Sequence, residues 1–238
     1  MNHTHIASAF DRDLEAVQAH IMKMGGLVES AIRDAAHALE QRDEDLADEV
    51  RRQDRAIDEL ETLINEEAAR LIALRAPTAG DLRTVLTVLK ISGNLERIGD
   101  YAKNLAKRNS VLVQSAPVED ATSGIRRMAQ AVELMLKDSL DSYIKRDVDL
   151  AQDVRVRDGD VDQMYNAMFR QFLTYMMEDP RNITSCMHLH FIAKNVERMG
   201  DHVTSIADQV IYLVTGDAPA DARPKQDRTS LMAEPREN

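Results

Sequence analysis

The segment Asn94-Leu95-Glu96-Arg97-Ile98-Gly99-Asp100 recurs as Asn195-Val196-Glu197-Arg198-Met199-Gly200-Asp201, 101 residues further along the chain. Five of the seven positions are identical, and the other two keep an apolar residue. Such a recurrence indicates an internal duplication of a unit of about 100 residues, which is far longer than the unit of a solenoid protein. The sequence therefore predicts two similar domains in tandem.

The duplication extends upstream of this segment. With an offset of 104 residues, the stretch 42–47 (Arg-Asp-Glu-Asp-Leu-Ala) aligns with 146–151 (Arg-Asp-Val-Asp-Leu-Ala). The offset falls from 104 to 101 because the loop near Pro180 is three residues shorter than the loop near Pro77. We predict a first domain over residues 1–113, a second over 114–215, and a disordered polar tail over 216–238, where no apolar period is present.

The composition predicts an all-α protein. The 238 residues include only 9 Gly and 6 Pro, and aromatic residues make up 4% of the chain. Apolar residues recur with the period of a helix, which predicts six long helices in two pseudo-symmetric antiparallel three-helix bundles. Asp147 and Asn182 are predicted to cap the fifth and sixth helices, and residues 110–122 to link the two bundles. The predicted helices cover residues 10–41, 43–74, 79–109, 123–145, 147–178 and 182–215.

Charge and targeting signals exclude several classes of protein. A formal net charge of −11 argues against nucleic acid as a partner, because phosphate binding needs a basic face. The single cysteine fits a reducing compartment. The N-terminus lacks a secretory signal, and no stretch approaches the ~18 apolar residues of a membrane span. We therefore expect a cytoplasmic protein that does not insert into a membrane.

Catalytic motifs find no match in this chain. The sequence has no Gly-rich phosphate loop after a strand, no His-Glu-x-x-His and no nucleophile elbow. The Glu-x-x-His repeats of di-iron bundle enzymes are also absent. We expect no enzymatic activity.

Each copy carries two carboxylates one helical turn apart, Glu96 with Asp100 and Glu197 with Asp201. Residues four apart share a helix face, so the two negative charges repel, and a cation relieves that repulsion. Clusters of carboxylate oxygens bind hard divalent ions and iron. We predict that both pairs point away from the apolar stripe of their helix, are accessible, and bind a metal or a basic partner surface.

A second carboxylate pair in each copy extends this hypothesis. If the second and third helices of a bundle are adjacent, the two pairs together could complete a multinuclear metal site. The alternative is that all these charges are solvated and pair locally with arginine, which is routine on a helix face. The candidates are Asp54 and Asp58 on the second helix, and Asp158 and Asp162 on the fifth.

Glycine inside both recurring segments favours the functional alternative. Gly99 and Gly200 each cost about 1 kcal/mol relative to alanine in a helix. Their retention in both copies indicates that another backbone or a ligand approaches closely at these positions.

A smaller group of candidate ligands occurs in the second copy alone. Cys186 and His190 share a helix face and could bind a soft metal, although we prefer a partly buried histidine because the first copy has Leu89 in place of His190. His202 follows Asp201 where the first copy has Tyr101, and it is either an extra ligand or a flanking residue.

Taken together, these strings resemble the PhoU family over roughly residues 10–215. The resemblance rests on the two Arg-Asp-x-Asp-Leu-Ala stretches and on the segments Ile57-Asp58-x-Leu60-Glu61, Asp81-Leu82-Arg83 and Leu89-Lys90-Ile91, followed by Asn94 to Asp100. The resemblance implies two PhoU-type three-helix bundles, a homodimer and no catalysis. The second copy departs from the pattern, with Tyr165 in place of Glu61 and Asn182-Ile183-Thr184 in place of Asp81-Leu82-Arg83.

The function that the resemblance implies is negative regulation of phosphate uptake and of the phosphate-starvation response. A PhoU-type protein would act as an adaptor between the ATPase subunit of the phosphate ABC transporter and a sensor histidine kinase. The resemblance also implies multinuclear metal clusters, of iron or zinc and alternatively manganese or magnesium. Two rival classes remain, a metal-storage or metal-dependent redox bundle and a structural scaffold with solvated acidic stripes. The metal positions implied are Glu96, Asp100, Glu197 and Asp201, with Asp54, Asp58, Asp158 and Asp162.

Overall fold

Six long helices in two sets of three build the molecule. The computed structural model describes residues 2–118 and 120–219, with side chains from residue 10 onward. No strand occurs among these residues, so the predicted all-α fold is confirmed. The end of the predicted tail, residues 220–238, lies outside the described residues. The helices are α1 (Asn2–Gln41), α2 (Glu44–Arg75), α3 (Ala79–Val113), α4 (Ala121–Lys145), α5 (Val148–Glu178) and α6 (Ile183–Thr215), with a 3₁₀ turn at Pro180–Asn182.

Side-chain caps fix the start of the second helix in each copy. A carboxylate oxygen of Asp43 accepts a hydrogen bond from the backbone N–H of Leu46 at 2.9 Å. Asp147 accepts in the same way from Leu150 at 3.0 Å, so the predicted cap at Asp147 is confirmed. Each bond satisfies one backbone N–H that a helix start leaves without an internal partner.

The start of α6 differs from the prediction. Asn182 makes no side-chain cap hydrogen bond. Asp179 instead caps the 3₁₀ turn that precedes α6, accepting from the backbone N–H of Arg181 at 2.9 Å. Asn182 holds the N-cap position of α6 as predicted, but the preceding turn leaves it in helical rather than extended geometry, and its side chain does not cap the helix.

Three helices are longer than predicted. α1 begins at Asn2 rather than at residue 10. α3 continues to Val113 rather than ending at residue 109, and α4 begins at Ala121 rather than at residue 123. Together these two changes shorten the linker to residues 114–120. The extra turn of α3 buries Leu112. Nη2 of Arg42 donates hydrogen bonds to the carbonyl oxygens of Leu112, Val113 and Ser115 at 2.8, 2.6 and 2.7 Å, which satisfies the helix end.

The two bundles share one hydrophobic core. Within each bundle all three helices pack on one another, and α3 packs on α6 and α1 on α4 between the bundles. In each of these pairs the two helices are counterparts under the duplication, as expected for pseudo-twofold symmetry. Buried apolar residues of all six helices form one continuous cluster. None of the described helices has the length and apolar character needed to span a membrane.

Gly25 brings α1 and α4 close together. A Cβ atom on Gly25 would lie 2.3 Å from Cδ1 of Leu140, whereas a Cβ on the neighbouring Gly26 would meet nothing within 4 Å. α1 continues as a helix through both glycines. Gly25 therefore leaves room for the side chain of Leu140 where α1 and α4 meet.

Candidate functional site

The predicted carboxylates of the first copy meet between α2 and α3. We call Asp54, Asp58, Glu61, Glu96 and Asp100 the first acidic cluster. A Cβ on Gly99 would lie 3.7 Å from a carboxylate oxygen of Asp54, which places α2 directly against the recurring segment of α3. The charges of Asp54 and Asp100 raise the pKa of Asp58, after the larger effect of partial burial. The sequence prediction that the two pairs come together is therefore met in this bundle.

Gly99 and Gly200 make room for side chains of α2 and α5. A Cβ on Gly99 would lie 3.0 Å from Cδ1 of Ile57, and one on Gly200 would lie 3.1 Å from a carboxylate oxygen of Asp158. The expected close approach is present at both glycines. The approaching atoms belong to side chains of the neighbouring helix, which corrects the expectation of a backbone or a ligand.

Lys103 neutralises the buried part of the first acidic cluster. Its Nζ lies 2.5 Å from Oδ2 of Asp54 and 3.3 Å from Oδ1 of Asp100. Asp54 is only 5% exposed, and a buried carboxylate without a counter-charge is strongly destabilising. The hydrogen bond to Asp54, more than any other contact, raises the pKa of Lys103. Sequence reasoning missed this lysine, although its position three residues after Asp100 places it on the same helix face.

Glu96 lies in the part of the cluster that no lysine among the described residues reaches. Burial, followed by the negative charge of Asp100, raises the pKa of Glu96 from 4.5 to about 7. The nearest cation, Nε of the exposed Arg97, lies 3.6 Å from Oε2 of Glu96. The charge of Glu61 on α2 raises the pKa further. The first acidic cluster therefore holds negative charge that a cation could compensate.

The predicted carboxylates of the second copy are more deeply buried. We call Asp158, Asp162, Glu197 and Asp201 the second acidic cluster. Asp158 and Asp162 are each 1% exposed and Glu197 is 3% exposed. The prediction that Glu197 lies on an accessible face is wrong, because α3, α4 and α5 all pack on α6 and leave Glu197 buried.

A lysine also enters the second acidic cluster, from a different position. Nζ of Lys194 lies 2.9 Å from Oε2 of Glu197 and 4.9 Å above the ring of Tyr165. Tyr165 occupies the position that Glu61 has in the first copy. In the duplication Lys194 aligns with Gly93, and Lys103 aligns with Thr204. The two copies thus place their counter-charges at positions that do not correspond.

The ligand chemistry of the acidic clusters favours a metal, whereas their arrangement does not. Carboxylate oxygens are the ligands that hard divalent ions and iron prefer. Among the described residues, however, no three His, Cys, Asp or Glu side chains are grouped so that they could hold a metal ion. Ammonium groups already occupy part of both clusters. A metal would have to compete with Lys103 in the first cluster and with Lys194 in the second.

Cys186 and His190 serve packing. Cys186 is a free and buried thiol whose pKa is raised by burial. His190 packs against Tyr165 and Phe169, at ring-centroid distances of 6.0 and 5.3 Å. Burial, and then the nearby charge of Lys194, lowers the pKa of His190. This is the partly buried histidine that we preferred from the sequence.

His202 links the two recurring segments. Its Nδ1 lies 2.8 Å from the side-chain oxygen of Asn94, across the contact between α3 and α6. The ring of Tyr101, its counterpart in the first copy, lies 5.7 Å away between centroids. His202 therefore belongs to the contact between the bundles.

Comparison with known proteins places this architecture in a family. The profile described as "PhoU domain" matches the chain twice, over residues 21–108 and 125–210. The chain belongs to the PhoU family. The two PhoU matches fall inside the two predicted units, each spanning one three-helix bundle, and the resemblance found in the sequence is confirmed.

Relatives and solved PhoU structures cover nearly the whole chain. A phosphate-specific transport system accessory protein PhoU homolog of Rhizobium meliloti is 44% identical over 98% of each chain. Another, from Caulobacter vibrioides, is 45% identical over 94% of this chain and 97% of its own. The crystal structure of PhoU from Pseudomonas aeruginosa has a TM-score of 0.85 at 39% identity, covering 87% of this chain and all of that one. PhoU from Streptococcus pneumoniae, described as a phosphate transport system regulatory protein, has a TM-score of 0.82 at 26% identity, covering 88% of this chain and 99% of that one.

Proposed function

We propose that this protein is a non-enzymatic accessory protein of phosphate transport that restrains phosphate uptake and the phosphate-starvation response. The observation that carries the proposal is full-length similarity to accessory proteins of phosphate-specific transport, 44% identity over 98% of both chains. Because the match covers nearly all of both chains, the similarity extends over both bundles. The paired carboxylates are matched by lysines, which is an arrangement that stabilises helix packing without requiring a reaction.

The mechanism we propose is docking in the cytoplasm. The protein, as a homodimer, would contact the ATPase subunit of the phosphate ABC transporter and a sensor histidine kinase, and hold the kinase in its inactive state. A binding protein shifts such an equilibrium only by the difference in its affinity for the two states. It must therefore bind the inactive pairing of kinase and transporter more tightly than the active one.

A deletion strain tests the regulatory role. Removal of the gene should switch on a phosphate-starvation promoter in phosphate-rich medium and raise the initial rate of phosphate uptake. The wild-type gene on a plasmid should restore both to their original levels. A promoter that stays silent in the deletion strain would contradict the proposal.

A second proposal is that the first acidic cluster binds a hard metal ion in exchange for Lys103. The ion would be iron, zinc, manganese or magnesium, held by Glu96 and Asp100 with Asp54 and Asp58. The raised pKa of Glu96, about 7, supports this because it reflects burial and repulsion that a cation would relieve. The second acidic cluster would bind metal through Glu197, Asp201, Asp158 and Asp162 only after displacing Lys194.

Substitution of the competing ammonium tests metal binding. Lys103→Met should raise the affinity for Mn²⁺ by about tenfold or more, because removing one like charge beside a divalent ion relieves strong repulsion. Lys107→Met, an exposed position on the same helix, is the control and should leave the affinity unchanged.

Elemental analysis of protein purified without chelator should find metal that is lost in Glu96→Gln/Asp100→Asn. Absence of metal from both the wild type and Lys103→Met would refute the proposal. Iron-dependent oxidase activity would favour the alternative that the protein is a metal-storage or metal-dependent redox bundle.

A further inference from the structure

The N-terminal half of α3 presents two cations to one aromatic ring of α6. Cζ of Arg83 lies 5.6 Å from the ring centroid of Tyr212, and Nζ of Lys90 lies 5.9 Å from it. Among the described residues neither cation forms an ion pair with a carboxylate. The chain carries 41 acidic residues against 30 basic ones. Two cations that stack on a ring instead of pairing with a carboxylate therefore leave positive charge at a defined place on an acidic protein.

An exposed leucine lies between the two cations. Leu86 is 41% exposed, and positions 83, 86 and 90 fall on one face of α3 by helix periodicity. We call Arg83, Leu86, Lys90 and Tyr212 the cationic face. The stacking of both cations on Tyr212 limits their rotamers, so less side-chain entropy would be lost when an anion binds.

An open groove continues from the cationic face between α5 and α6. It has a volume of about 470 Å³ and runs from Lys90 and Tyr212 to Arg155 and Asp208. The carboxylate that lines it, Asp208, lies 2.8 Å from Nε of Arg155. The charge of Asp208 is thereby compensated within the groove, and the groove does not oppose an incoming acidic group.

A role in helix capping accounts for only one of these residues. A Cβ on Gly216, which has a φ of +90°, would lie 2.9 Å from Nη1 of Arg83. Arg83 is therefore placed to stabilise the C-terminal dipole of α6. Lys90 and Leu86 are exposed and have no such role at this helix end.

The duplication supplies an internal comparison. In the second copy, positions 83, 86 and 90 correspond to Thr184, Met187 and Phe191. Both Met187 and Phe191 are exposed there, and only one cation, Arg108, stacks on Phe191 at 4.6 Å. The same fold thus forms without the two cations, which are a property of one copy alone.

We propose that the cationic face docks an acidic segment of a partner protein. Carboxylates of the partner would pair with Arg83 and Lys90, and an apolar side chain between them would cover Leu86 and Tyr212. Seven helical residues span about 10 Å, so the partner needs two acidic groups at about that spacing, as on one face of a helix. The proposal goes beyond the proposed function and does not depend on it, because it specifies a surface and the chemistry of its ligand.

A designed peptide tests this surface directly. The probe is a fluorescein-labelled helical peptide with two glutamates seven residues apart and a leucine midway, and the control peptide has glutamine in place of both glutamates. Anisotropy should show that the wild-type protein binds the glutamate peptide about tenfold more tightly, a preference that falls as salt increases. Equal binding of the two peptides, or no binding, would overturn the proposal.

Matched variants locate the binding on the protein. The double variant Arg83→Gln/Lys90→Gln should abolish the preference for the glutamate peptide. The single variant Lys90→Gln, which leaves the contact of Arg83 with the end of α6 intact, should remove most of that preference. Lys23→Gln/Lys107→Gln removes the same charge from other exposed positions and should retain the preference. A loss of equal size in this control would show that net charge, rather than the cationic face, attracts the peptide, and would also overturn the proposal.

Discussion

Two lysines, Lys103 and Lys194, set the electrostatic state of the acidic clusters. Lys103 contacts Asp54 and Asp100, and Lys194 contacts Glu197. The carboxylates were copied in the duplication, whereas the two lysines stand at positions that do not correspond. The acidic residues are therefore the shared feature of the two bundles, and the way in which each bundle compensates them is individual.

Glu96 should make the stability of the protein depend on pH. Its pKa is about 7 in the folded protein, against an ordinary value of 4.5. The folded protein therefore holds this proton more tightly than the unfolded chain does. The resulting stabilisation is complete below pH 4.5, declines as the pH rises, and is lost above pH 7. Glu96→Gln avoids this loss and should raise the urea midpoint above that of the wild type at pH 8.

The same comparison at low pH is the control. At pH 4 wild-type Glu96 is protonated in both states, so Glu96→Gln should have nearly the wild-type midpoint. Both unfolding curves are measured with a chelator, so that metal binding does not compensate the charge. A variant that is less stable than the wild type at pH 8 would contradict this account of Glu96.

At the residue scale, the sequence predicted which acidic residues lie side by side, but not the burial of Glu197 or the lysines that contact the acids. Helix periodicity places Glu96 beside Asp100, and the duplication singles out the same pair at Glu197 and Asp201. Burial of Glu197 could not be predicted, because it depends on the helices that pack against α6, and periodicity along α6 says nothing about a neighbouring helix. Lys103 could have been found, since it follows Asp100 by three residues.

At the element scale, the helix ends that follow local chemistry were predictable and those set by packing were not. Asp147 caps α5 as its sequence predicts. α3 is longer than predicted because Leu112 is buried and Arg42 satisfies the carbonyls at the helix end. That contact joins residues 70 positions apart, which no local pattern contains.

The neighbouring glycines of α1 should respond oppositely to alanine. Gly26→Ala should stabilise the protein by about 0.5–1 kcal/mol, because it removes the conformational cost of glycine in a helix and its Cβ meets nothing. Gly25→Ala should destabilise it by about 1–3 kcal/mol, because its Cβ would overlap Leu140 in the contact between α1 and α4. Urea denaturation of both variants measures the two changes.

The two glycine variants serve as controls for each other, because they lie side by side in one helix. Stabilisation of similar size in both would show that Leu140 or the two helices can make room for the added Cβ without cost. That result would contradict the close packing of the bundles at Gly25.

At the scale of the whole molecule, the duplication predicted two bundles, and the structure joins them through one core. Because one cluster contains buried residues of all six helices, we expect one cooperative unfolding transition. Leu95→Ala in the first bundle and Leu136→Ala in the second each remove a fully buried side chain. Each should cost about 2–5 kcal/mol and lower the same transition temperature.

Scanning calorimetry measures this coupling. A thermogram with two transitions, in which Leu95→Ala lowers one and Leu136→Ala lowers the other, would show that the bundles unfold independently. The sequence could not decide between these outcomes, since a duplication is compatible with two separate domains and with a shared core.

The proposed adaptor must bind two proteins at once, and the measurement that tests this most directly is mass photometry. The sample contains the purified protein, the ATPase subunit of the phosphate transporter and the cytoplasmic part of the sensor kinase. The account predicts a species with the mass of all three components, in addition to both pairwise complexes. Binding to neither protein, or binding to each only when the other is absent, would contradict it.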